Sequence, residues 1–301
     1  MTTPPPASPR QTLSYLRSLF EQRGLHPKNK LGQNFLIDLN LIEVLLRAAD
    51  LSPDDLILEV GSGTGSLTAR LVEQAGAVVS VEVDPDFAEM ADEAVATGRD
   101  RVALIHADVL KNKNELNPTV LRAIEDVRAR TRTVTIKLVA NLPYAVATPV
   151  ISNLLLSTVP IERMVVTVQW EIAERLMAEP GGKEYGALAV LVQSLADVTL
   201  IRKLPPTVFW PRPKVDSAIV KVEPNARKRA KVGDVQKLRN FLRDLYAHRR
   251  KNLRGGLVSM AGRGLNKQDV DAKLEELGLD GKARAETLDL EQHLRLCETF
   301  G

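Results

Sequence analysis

The hydrophobic and polar positions fall into two alternating patterns along the chain. From Leu51 onward, short runs rich in β-branched residues alternate with stretches in which apolar residues repeat at helical spacing. The runs are nearly continuous in apolar residues, which is typical of strands buried on both faces of a parallel sheet. This alternation predicts an α/β fold. The predicted strands are Leu56–Val60, Val78–Val83, Val102–His106, Val134–Ala140, Met164–Gln169, Val198–Leu204 and Ala218–Val222.

Two regions depart from this alternation. The segment Lys111–Arg132 is highly charged and prone to form a helix, and we interpret it as a surface insertion. After Pro224 the β-branched runs stop, and helical spacing appears in Val235–Tyr246 and Lys267–Leu277. We therefore predict three segments: an N-terminal extension over residues 1–27, a main domain over residues 28–224 and a small helical domain over residues 225–301.

Composition narrows the class of protein. In 301 residues, 44% are hydrophobic and 26% are charged, which excludes disordered and collagen-like chains. No apolar run approaches the ~18 residues that a membrane-spanning helix needs, which argues against an integral membrane protein. The single cysteine, Cys297, cannot form an internal disulfide or a zinc cluster, so we expect a reducing, cytoplasmic location. The N-terminus lacks a secretory pattern; a disordered tail fits it better than a transit peptide does.

The distribution of charge is uneven, although the net charge is only +3. Between Asn225 and Arg254, eleven lysines and arginines stand against two acidic residues. This asymmetry indicates that the segment binds a polyanion. The alternative is a charged helical face that is only exposed to solvent. The residues predicted to bind this polyanion are Lys228, Arg229, Lys231, Arg249, Arg250 and Lys251.

A glycine-rich loop follows the first predicted strand. The stretch Glu59–Gly65 contains glycines at 61, 63 and 65, directly before a predicted helix. Glycines allow a tight turn and a close approach of a ligand to the main chain, so we expect Glu59, Gly61 and Gly63 to bind a cofactor. A dinucleotide-binding turn has the spacing G-x-G-x-x-G, and Ser66 stands where its third glycine would be. The loop thus disfavours a nicotinamide cofactor, and an ordinary tight turn is the alternative.

Acidic residues stand at the end of the second predicted strand and just after the third. Glu82 stands 21 positions after Gly61, where a carboxylate can accept hydrogen bonds from the hydroxyls of a ribose. Asp108 follows the third strand and could accept a hydrogen bond from the amino group of an adenine. Each acid alone could be a helix cap or a loop residue. Together they indicate a nucleoside site at the carboxyl edge of the sheet.

The tetrapeptide Asn141-Leu142-Pro143-Tyr144 follows the fourth predicted strand. An adenine amino group is a poor nucleophile because its lone pair is delocalised into the ring. A site that holds its N–H bonds with acceptors helps the nitrogen attack a methyl donor. The Asn141 side-chain oxygen and the Leu142 carbonyl can supply two acceptors, with Pro143 as a rigid support. Tyr144 offers a ring on which an unstacked base can lie. The alternative is an ordinary turn in which the tyrosine only packs against its neighbours.

With these motifs, the chain resembles the rRNA adenine N6,N6-dimethyltransferase family of the KsgA type. The resemblance runs from about Lys28 to Glu223, with a weaker match near Arg249–Leu253. The further segments that carry it are Leu31–Leu36, Gln169–Leu176, Tyr185-Gly186 and Phe209–Ser217. The chain departs from the family at Ser62, where a proline is usual, and at Ala107, where a glycine is usual.

The resemblance implies a fold, a reaction and site residues. The fold is a Rossmann-like class I S-adenosylmethionine (SAM)-dependent methyltransferase sheet of seven strands with an antiparallel last pair, followed by a small all-helical domain. SAM contacts are implied for Gln33, Asn34 and Leu36 and for Gly61, Glu82, Asp108 and Asn141, whereas Phe209 would stack on the target base opposite Tyr144.

The resemblance also implies a substrate. The enzyme would methylate N6 of two adjacent adenosines near the 3′ end of small-subunit rRNA, as a monomer and without a metal or a membrane. The alternatives are a 23S rRNA adenine methyltransferase of the antibiotic-resistance type, or a non-catalytic assembly or transcription factor of the same fold.

Overall fold

The structure is a computed structural model that describes residues 13–28, 31–95, 98–260 and 264–301. The first twelve residues of the predicted N-terminal extension lie outside the described residues. Contacts divide the chain into two compact units. The first unit runs to Trp170 and includes Thr199–Val222, and the second comprises Glu171–Val198 and Glu223–Gly301.

The first unit carries the predicted α/β architecture. Its helices are α1 (Leu13–Arg23), α2 (Leu39–Ala49), α3 (Ser66–Gln74), α4 (Pro85–Ala94), α5 (Pro118–Thr131) and α6 (Tyr144–Leu156). The strands of the chain are β1 (Phe35–Leu36), β2 (Asp55–Val60), β3 (Ala77–Glu82), β4 (Val102–His106), β5 (Leu110–Asn112), β6 (Glu115–Leu116), β7 (Thr135–Asn141), β8 (Ile161–Gln169), β9 (Ala196–Leu204), β10 (Phe209–Trp210) and β11 (Ser217–Pro224).

Seven of these strands form the main sheet, in the order β4-β3-β2-β7-β8-β11-β9. Strands β4, β3, β2, β7 and β8 run parallel to one another, and β11 runs antiparallel to β8. The predicted seven-stranded sheet is confirmed. The chain builds β2, β3 and β4 outward in one direction and then returns to add β7 on the other side of β2. This reversal leaves a crevice at the carboxyl ends of β2 and β7, where open α/β sheets bind ligands.

The sheet is buried because its strands are apolar on both faces. Every residue of β2 and β3 is buried, including the polar ones. Helix α2 covers one face with Leu41, Ile42, Leu45 and Leu46, packed in a cluster with residues of α3, β2, β3, β7 and β8. The spacing of these leucines and isoleucines places them on one side of α2, which is why it docks as an amphipathic helix.

The interpretation of Lys111–Arg132 as a surface insertion is wrong. The segment contains the short hairpin of β5 and β6 and then helix α5, which is a regular crossover helix packed on β2, β3 and β4. Val120, Ile124 and Val127 are buried and recur every three or four positions, so they form one apolar stripe on α5. The many charges lie on the other positions of the helix and concealed this stripe in the sequence.

The amino edge of the sheet holds a buried ion pair. Lys137 on β7 donates to Asp55 on β2 at 2.9 Å, and the two side chains are 6% and 2% exposed. Asp55 also accepts hydrogen bonds from the Thr135 hydroxyl and the Ser52 N–H, and Lys137 donates to the Asp50 carbonyl at 2.6 Å. Although burial alone would raise it, the pKa of Asp55 is lowered by these partners.

The second unit is helical over most of its length, and the predicted helical C-terminal region is confirmed. Its helices are α7 (Trp170–Met177, of which Trp170 belongs to the first unit), α8 (Ala187–Gln193), α9 (Ala226–Val232), α10 (Val235–Tyr246), α11 (Leu253–Val258), α12 (Lys267–Glu276) and α13 (Leu290–Phe300). No helix within the described ranges has the length and apolar character that crossing a bilayer requires.

The second unit begins earlier in the chain than the predicted boundary at residue 225. Helix α8 contacts α10 and α13, and its residues Leu188–Val192 are all buried. Because α8 is apolar around its circumference, it needs partners on several sides, and helices from the end of the chain supply them. The domain boundaries predicted from the sequence stay a prediction, and the contacts assign Glu171–Val198 to the helical unit.

Candidate active site

A cavity opens at the carboxyl edge of the sheet, at the crevice between β2 and β7. It has an empty volume of about 720 Å³, which includes its opening to solvent. The cavity is lined by Leu31, Gly32, Gln33, Asn34, Phe35, Leu36, Ile42, Leu45, Gly61, Ser62, Gly63, Thr64, Ser66, Leu67, Glu82, Val83, Asn141 and Pro143. Of the predicted cofactor residues, seven line it: Gln33, Asn34, Leu36, Gly61, Gly63, Glu82 and Asn141.

The glycine loop is shaped by its protein neighbours. Gly61 and Gly63 have φ angles of +82° and +52°, a region that residues with a Cβ rarely adopt. A Cβ at Gly61 would lie 3.0 Å from the ring of Pro143, and one at Gly63 would lie 2.9 Å from the ring of Phe35. The missing side chains therefore make room for Pro143 and Phe35 as well as permitting the turn.

Glu82, at the end of β3, faces this loop. Its Oε1 accepts the N–H groups of Val83 and Asp84 at 3.0 Å, and its Oε2 accepts that of Gly63 at 2.9 Å. Each carboxylate oxygen has two lone pairs, so Oε2 can accept a further hydrogen bond. Burial raises the pKa of Glu82, while the three N–H groups oppose that rise. The position suits a carboxylate that receives ligand hydroxyls.

Glu59 lies behind the loop and does not line the cavity. It is 1% exposed, and its Oε2 accepts the hydroxyls of Thr68 and Ser80, each at 2.6 Å. Its Oε1 makes no hydrogen bond among the described residues. Burial raises the pKa of Glu59 to about 7. A direct cofactor contact by Glu59 is not supported here, because β2 directs its side chain toward α3 and β3.

The segment before β1 forms one wall of the cavity. The Gln33 amide is used within the protein: Oε1 accepts the Lys28 N–H at 2.6 Å, and Nε2 donates to Asp84 at 2.8 Å. Lys28 Nζ pairs with the same carboxylate at 2.9 Å. The pKa of Asp84 is lowered by these partners, although burial would raise it. Gln33 thus secures the wall to the turn after β3.

Asn141 ends β7 and faces the same wall. Its Nδ2 donates to the Asn34 carbonyl at 2.8 Å. This bond fixes the amide so that Oδ1 is its free acceptor, because no described residue donates to it. The Leu142 carbonyl, likewise, receives no hydrogen bond from the described residues, whereas the Leu142 side chain is buried. Two acceptors on adjacent residues at the end of β7 are therefore unused by the described residues.

Tyr144 begins helix α6 beside these acceptors. It is partly buried, and its hydroxyl lies 2.6 Å from the Ser217 Oγ at the start of β11. The Pro143 ring that precedes it contacts the glycine loop. The tetrapeptide Asn141–Tyr144, which contains four of the five residues predicted as catalytic, is therefore held by three anchors: Asn34, Gly61 and Ser217. The fifth is Phe209.

Two predicted site residues lie elsewhere. Asp108 is exposed and does not line the cavity, and its Oδ1 caps a turn by accepting the Leu110 N–H at 2.8 Å. Phe209 is 2% exposed and packs in the core under α2, paired in register with Leu36. Its ring offers no open face to a base, so the structure does not support the predicted stacking role. The apolar environment of β10 explains this position.

The six predicted RNA-binding residues all belong to the second unit, and several are engaged within it. Lys228 pairs with Asp197 at 2.7 Å and donates to the Ala196 carbonyl. Arg249 donates to the carbonyls of Lys183 and Tyr185, and Lys251 donates to the Ser259 hydroxyl. Arg229, Lys231 and Arg250 are exposed. Arg249 is thus a structural residue as well as a surface charge.

The sequence reasoning missed several residues of the site. Val83 and Thr64 line the cavity, and Ser217 contacts Tyr144. Val83 could have been found because it directly follows the predicted ribose acid, and Thr64 because it lies between two loop glycines. Ser217 ends the segment Phe209–Ser217 that carries the family resemblance, but its role was not assigned, since only the antiparallel pairing of β11 with β8 brings it to this edge. Ser62 was noticed only as a departure from a family pattern.

Comparison with known proteins decides the family. The model of the family described as "Ribosomal RNA adenine dimethylase" matches residues 24–300. This chain belongs to the ribosomal RNA adenine dimethylase family. It is similar to the ribosomal RNA small subunit methyltransferase A of Moorella thermoacetica, at 37% identity over 98% of each chain. The protein of that name from Clostridium botulinum strain Kyoto is 39% identical over 89% of this chain and 92% of its own.

Solved structures of this dimethylase type share the fold. A dimethyladenosine transferase from Plasmodium falciparum has a TM-score of 0.71 at 24% identity, covering 87% of this chain and 96% of its own. The 23S rRNA methyltransferase ErmE has a TM-score of 0.62 at 26% identity, covering 88% of this chain and 99% of its own. The predicted class I methyltransferase fold is confirmed.

The predicted activity is confirmed as well: the dimethylase is a SAM-dependent rRNA adenine methyltransferase that acts on the small subunit. The 23S alternative is not favoured, because the relatives named for the small subunit are the more similar in sequence. The non-catalytic alternative is not favoured either, since the family and these relatives are named for the reaction.

Proposed function

We propose that this dimethylase transfers methyl groups from SAM to N6 of two adjacent adenosines near the 3′ end of small-subunit rRNA. The observation that carries the proposal is the hydrogen bond from Asn141 Nδ2 to the Asn34 carbonyl. It leaves Asn141 Oδ1 as an acceptor beside the Leu142 carbonyl, at the edge of a cavity with a carboxylate suited to a ribose. The monomeric state and the cytoplasmic location stay predictions.

The residues of the cavity fit SAM. One of its ribose hydroxyls matches the lone pair that remains on Glu82 Oε2, and Val83, 43% exposed, offers an apolar surface for its adenine. Ser62 is 6% exposed, and its buried Oγ makes no hydrogen bond among the described residues. Such an orphaned hydroxyl can be satisfied by a polar ligand in the cavity. Glu82, Val83 and Ser62 would therefore hold the cofactor, whereas an adenine contact by Asp108, which does not line the cavity, stays a prediction.

Bound SAM supplies a methyl group on a positively charged sulfur, which makes a protein nucleophile or a metal unnecessary. The protein must present the adenine amine to that group. Asn141 Oδ1 and the Leu142 carbonyl accept its two N–H bonds and draw the nitrogen lone pair out of conjugation. As N6 gains the methyl group, the bond between that methyl and the sulfur breaks with its electron pair left on the sulfur, and the proton that N6 loses passes to water. Correct positioning of reactants supplies much of the rate enhancement in reactions of this kind.

Tyr144 would hold the target base in place. An adenine must leave its helix stack before N6 can reach the acceptors, and an aromatic face compensates for the lost stacking. Tyr144 stands two residues beyond Leu142 in the chain, and its ring is secured through its hydroxyl. Because that hydroxyl is engaged and burial raises its pKa, Tyr144 acts through its ring and not as an acid or base.

The basic helical unit would bind the phosphates of the substrate. Arg229, Lys231 and Arg250 are exposed cations within the segment of highest positive charge. Binding through phosphates is largely independent of sequence and weakens steeply as salt increases. We expect these residues to hold the ribosomal particle while the first unit selects the adenosine.

The test of the proposal is to locate the product. The protein is incubated with labelled SAM and with small or large ribosomal subunits from cells that lack the modification. We expect N6,N6-dimethyladenosine at two adjacent positions near the 3′ end of the small-subunit RNA and none in the large subunit. Label at another nucleotide, or in the large-subunit RNA, would contradict the proposal.

A further inference from the structure

The hydroxyl of Tyr144 is bound by a residue that lies far from it in sequence. Tyr144 OH and Ser217 Oγ are 2.6 Å apart, and Ser217 is completely buried. Ser217 is the first residue of β11 and pairs with Gln169, the last residue of β8. The bond therefore joins the target-base platform on α6 to the antiparallel part of the sheet.

Ser217 is itself held in a fixed position. Next to it, the Asp216 carbonyl accepts the Trp170 N–H at 2.9 Å. The Asp216 carboxylate pairs with Lys203 at 3.1 Å, and the Lys203 ammonium lies 4.2 Å from the centre of the Trp170 ring. Strand pairing, a backbone hydrogen bond and this cluster of side chains secure both sides of the β8–β11 junction. The Ser217 hydroxyl is therefore held in one position, from which it can restrain the Tyr144 ring.

The hydrogen bond restricts one motion in particular. The phenol oxygen lies on the long axis of the ring, so a bond to it does not prevent rotation of the ring about that axis. It does prevent the ring from swinging to another χ1 rotamer, since the oxygen would then move by several ångströms. Tyr144 is the first residue of α6 and is only partly buried, so packing alone leaves the ring room to swing.

We propose that Ser217 is a positioning residue for methylation, which holds the Tyr144 ring where the target adenine stacks. The proposal rests on the function proposed above for Tyr144. Ser217 touches neither the adenine nor SAM in this assignment and acts only through the tyrosine hydroxyl.

The experiment is a double-mutant cycle on the full-length protein. We measure kcat/KM for unmodified small subunits and the Kd for SAM in Ser217→Ala, Tyr144→Phe and the double variant. Loss of one hydrogen bond typically costs about a factor of ten or less, so each single variant should lose about tenfold in kcat/KM. The double variant should lose no more than either single one, and the Kd for SAM should stay unchanged in all three.

Thr167→Val is the matched control. Thr167 lies on β8, is completely buried, and its hydroxyl makes no hydrogen bond among the described residues. The substitution removes a buried hydroxyl near the β8–β11 junction and leaves Tyr144 unchanged. We expect kcat/KM of this variant to stay within about twofold of the wild-type value.

The outcomes separate the two proposals. If Ser217→Ala has the same effect in the Tyr144→Phe background as in the wild type, or no effect at all, the positioning role is overturned. If Ser217→Ala does not fold, Tyr144→Phe decides alone, and an unchanged kcat/KM overturns the role. If Tyr144→Ala keeps full activity, the failure lies in the proposed function of the ring, and the positioning role of Ser217 falls with it.

Discussion

The two edges of the central sheet carry polar residues in opposite states. At the amino edge, Asp55 and Lys137 bind each other and their neighbours, and both are buried. At the carboxyl edge, Asn141 and Glu82 each make hydrogen bonds within the protein and still have lone pairs to spare. Strand β7 contributes to both edges, with Lys137 near its start and Asn141 at its end. The comparison shows that polar residues at one edge of the sheet stabilise the fold, whereas those at the other edge retain acceptors for a ligand.

The largest expected effect is on stability and falls at the amino edge. Lys137→Met removes one partner of a buried ion pair and leaves the Asp55 carboxylate without its cation. Such losses typically cost about 3–5 kcal/mol of the free energy of unfolding. Denaturant unfolding measures this directly, and the fraction that remains folded should bind SAM with an unchanged Kd. In the double variant Asp55→Asn, Lys137→Met much of the loss should be recovered, and an equal or greater loss would contradict the buried-charge explanation.

The next effect is on activity and falls at the carboxyl edge. Asn141→Ala removes an acceptor for the adenine amine, and removing one such group from an active site typically costs about 10²–10³ in kcat. The free energy of unfolding should change by less than about 1 kcal/mol. Asn153→Ala is the matched control, because Asn153 is a buried asparagine on α6 whose amide also donates to a carbonyl. Asn153→Ala should lower the free energy of unfolding and leave kcat near the wild-type value. A loss of kcat in Asn153→Ala, with none in Asn141→Ala, would contradict the assignment of catalysis to the carboxyl edge.

A third prediction concerns pH and the buried Glu59. Its pKa is raised from 4.5 in the unfolded chain to about 7 in the folded protein, so the folded state binds more protons in this interval. The free energy of unfolding should therefore decrease as pH rises from 4.5 to 7, by up to about 3 kcal/mol from this group. Glu59→Gln does not titrate, and its unfolding curve should be flatter across that window. A slope equal to that of the wild type would exclude Glu59 as its source.

The smallest effect concerns the serine of the glycine loop. Ser62→Ala should weaken SAM binding by about three- to tenfold, the usual size for one hydrogen bond, as measured by calorimetry. Ser194→Ala is the control, because Ser194 also has a buried hydroxyl without a hydrogen-bond partner among the described residues. Neither variant should destabilise the protein, since each removes an unsatisfied group. A SAM affinity unaffected by Ser62→Ala would show that this hydroxyl does not contact the cofactor.

Much of the carboxyl edge could be predicted from the sequence because its motifs are local. The glycine loop, Glu82 and Asn141 each follow an apolar run directly, and parallel strands bring their carboxyl ends together. The side-chain roles were less accessible. Glu59 and Gly61 stand two positions apart, yet only Gly61 lines the cavity, because Glu59 is turned toward Thr68 and Ser80.

Contacts between distant segments could not be predicted. The pairing of Ser217 with Tyr144 and of Lys137 with Asp55 depends on strand order and register, which composition and spacing do not specify. Helix α5 was mistaken for an insertion because its three buried residues are few among many charges. The burial of Phe209 follows from the two-stranded pairing of β10 with β1, which the sequence did not indicate.

The contact between Gly61 and Pro143 has a consequence for how such an enzyme can evolve. The ring of Pro143 fills the space that a side chain at residue 61 would need. Residue 61 is thus constrained twice, because its φ of +82° favours glycine and because the Pro143 ring leaves a Cβ too little room. A smaller residue at 143 would remove only the second constraint, so change at 143 alone does not open position 61 to a side chain.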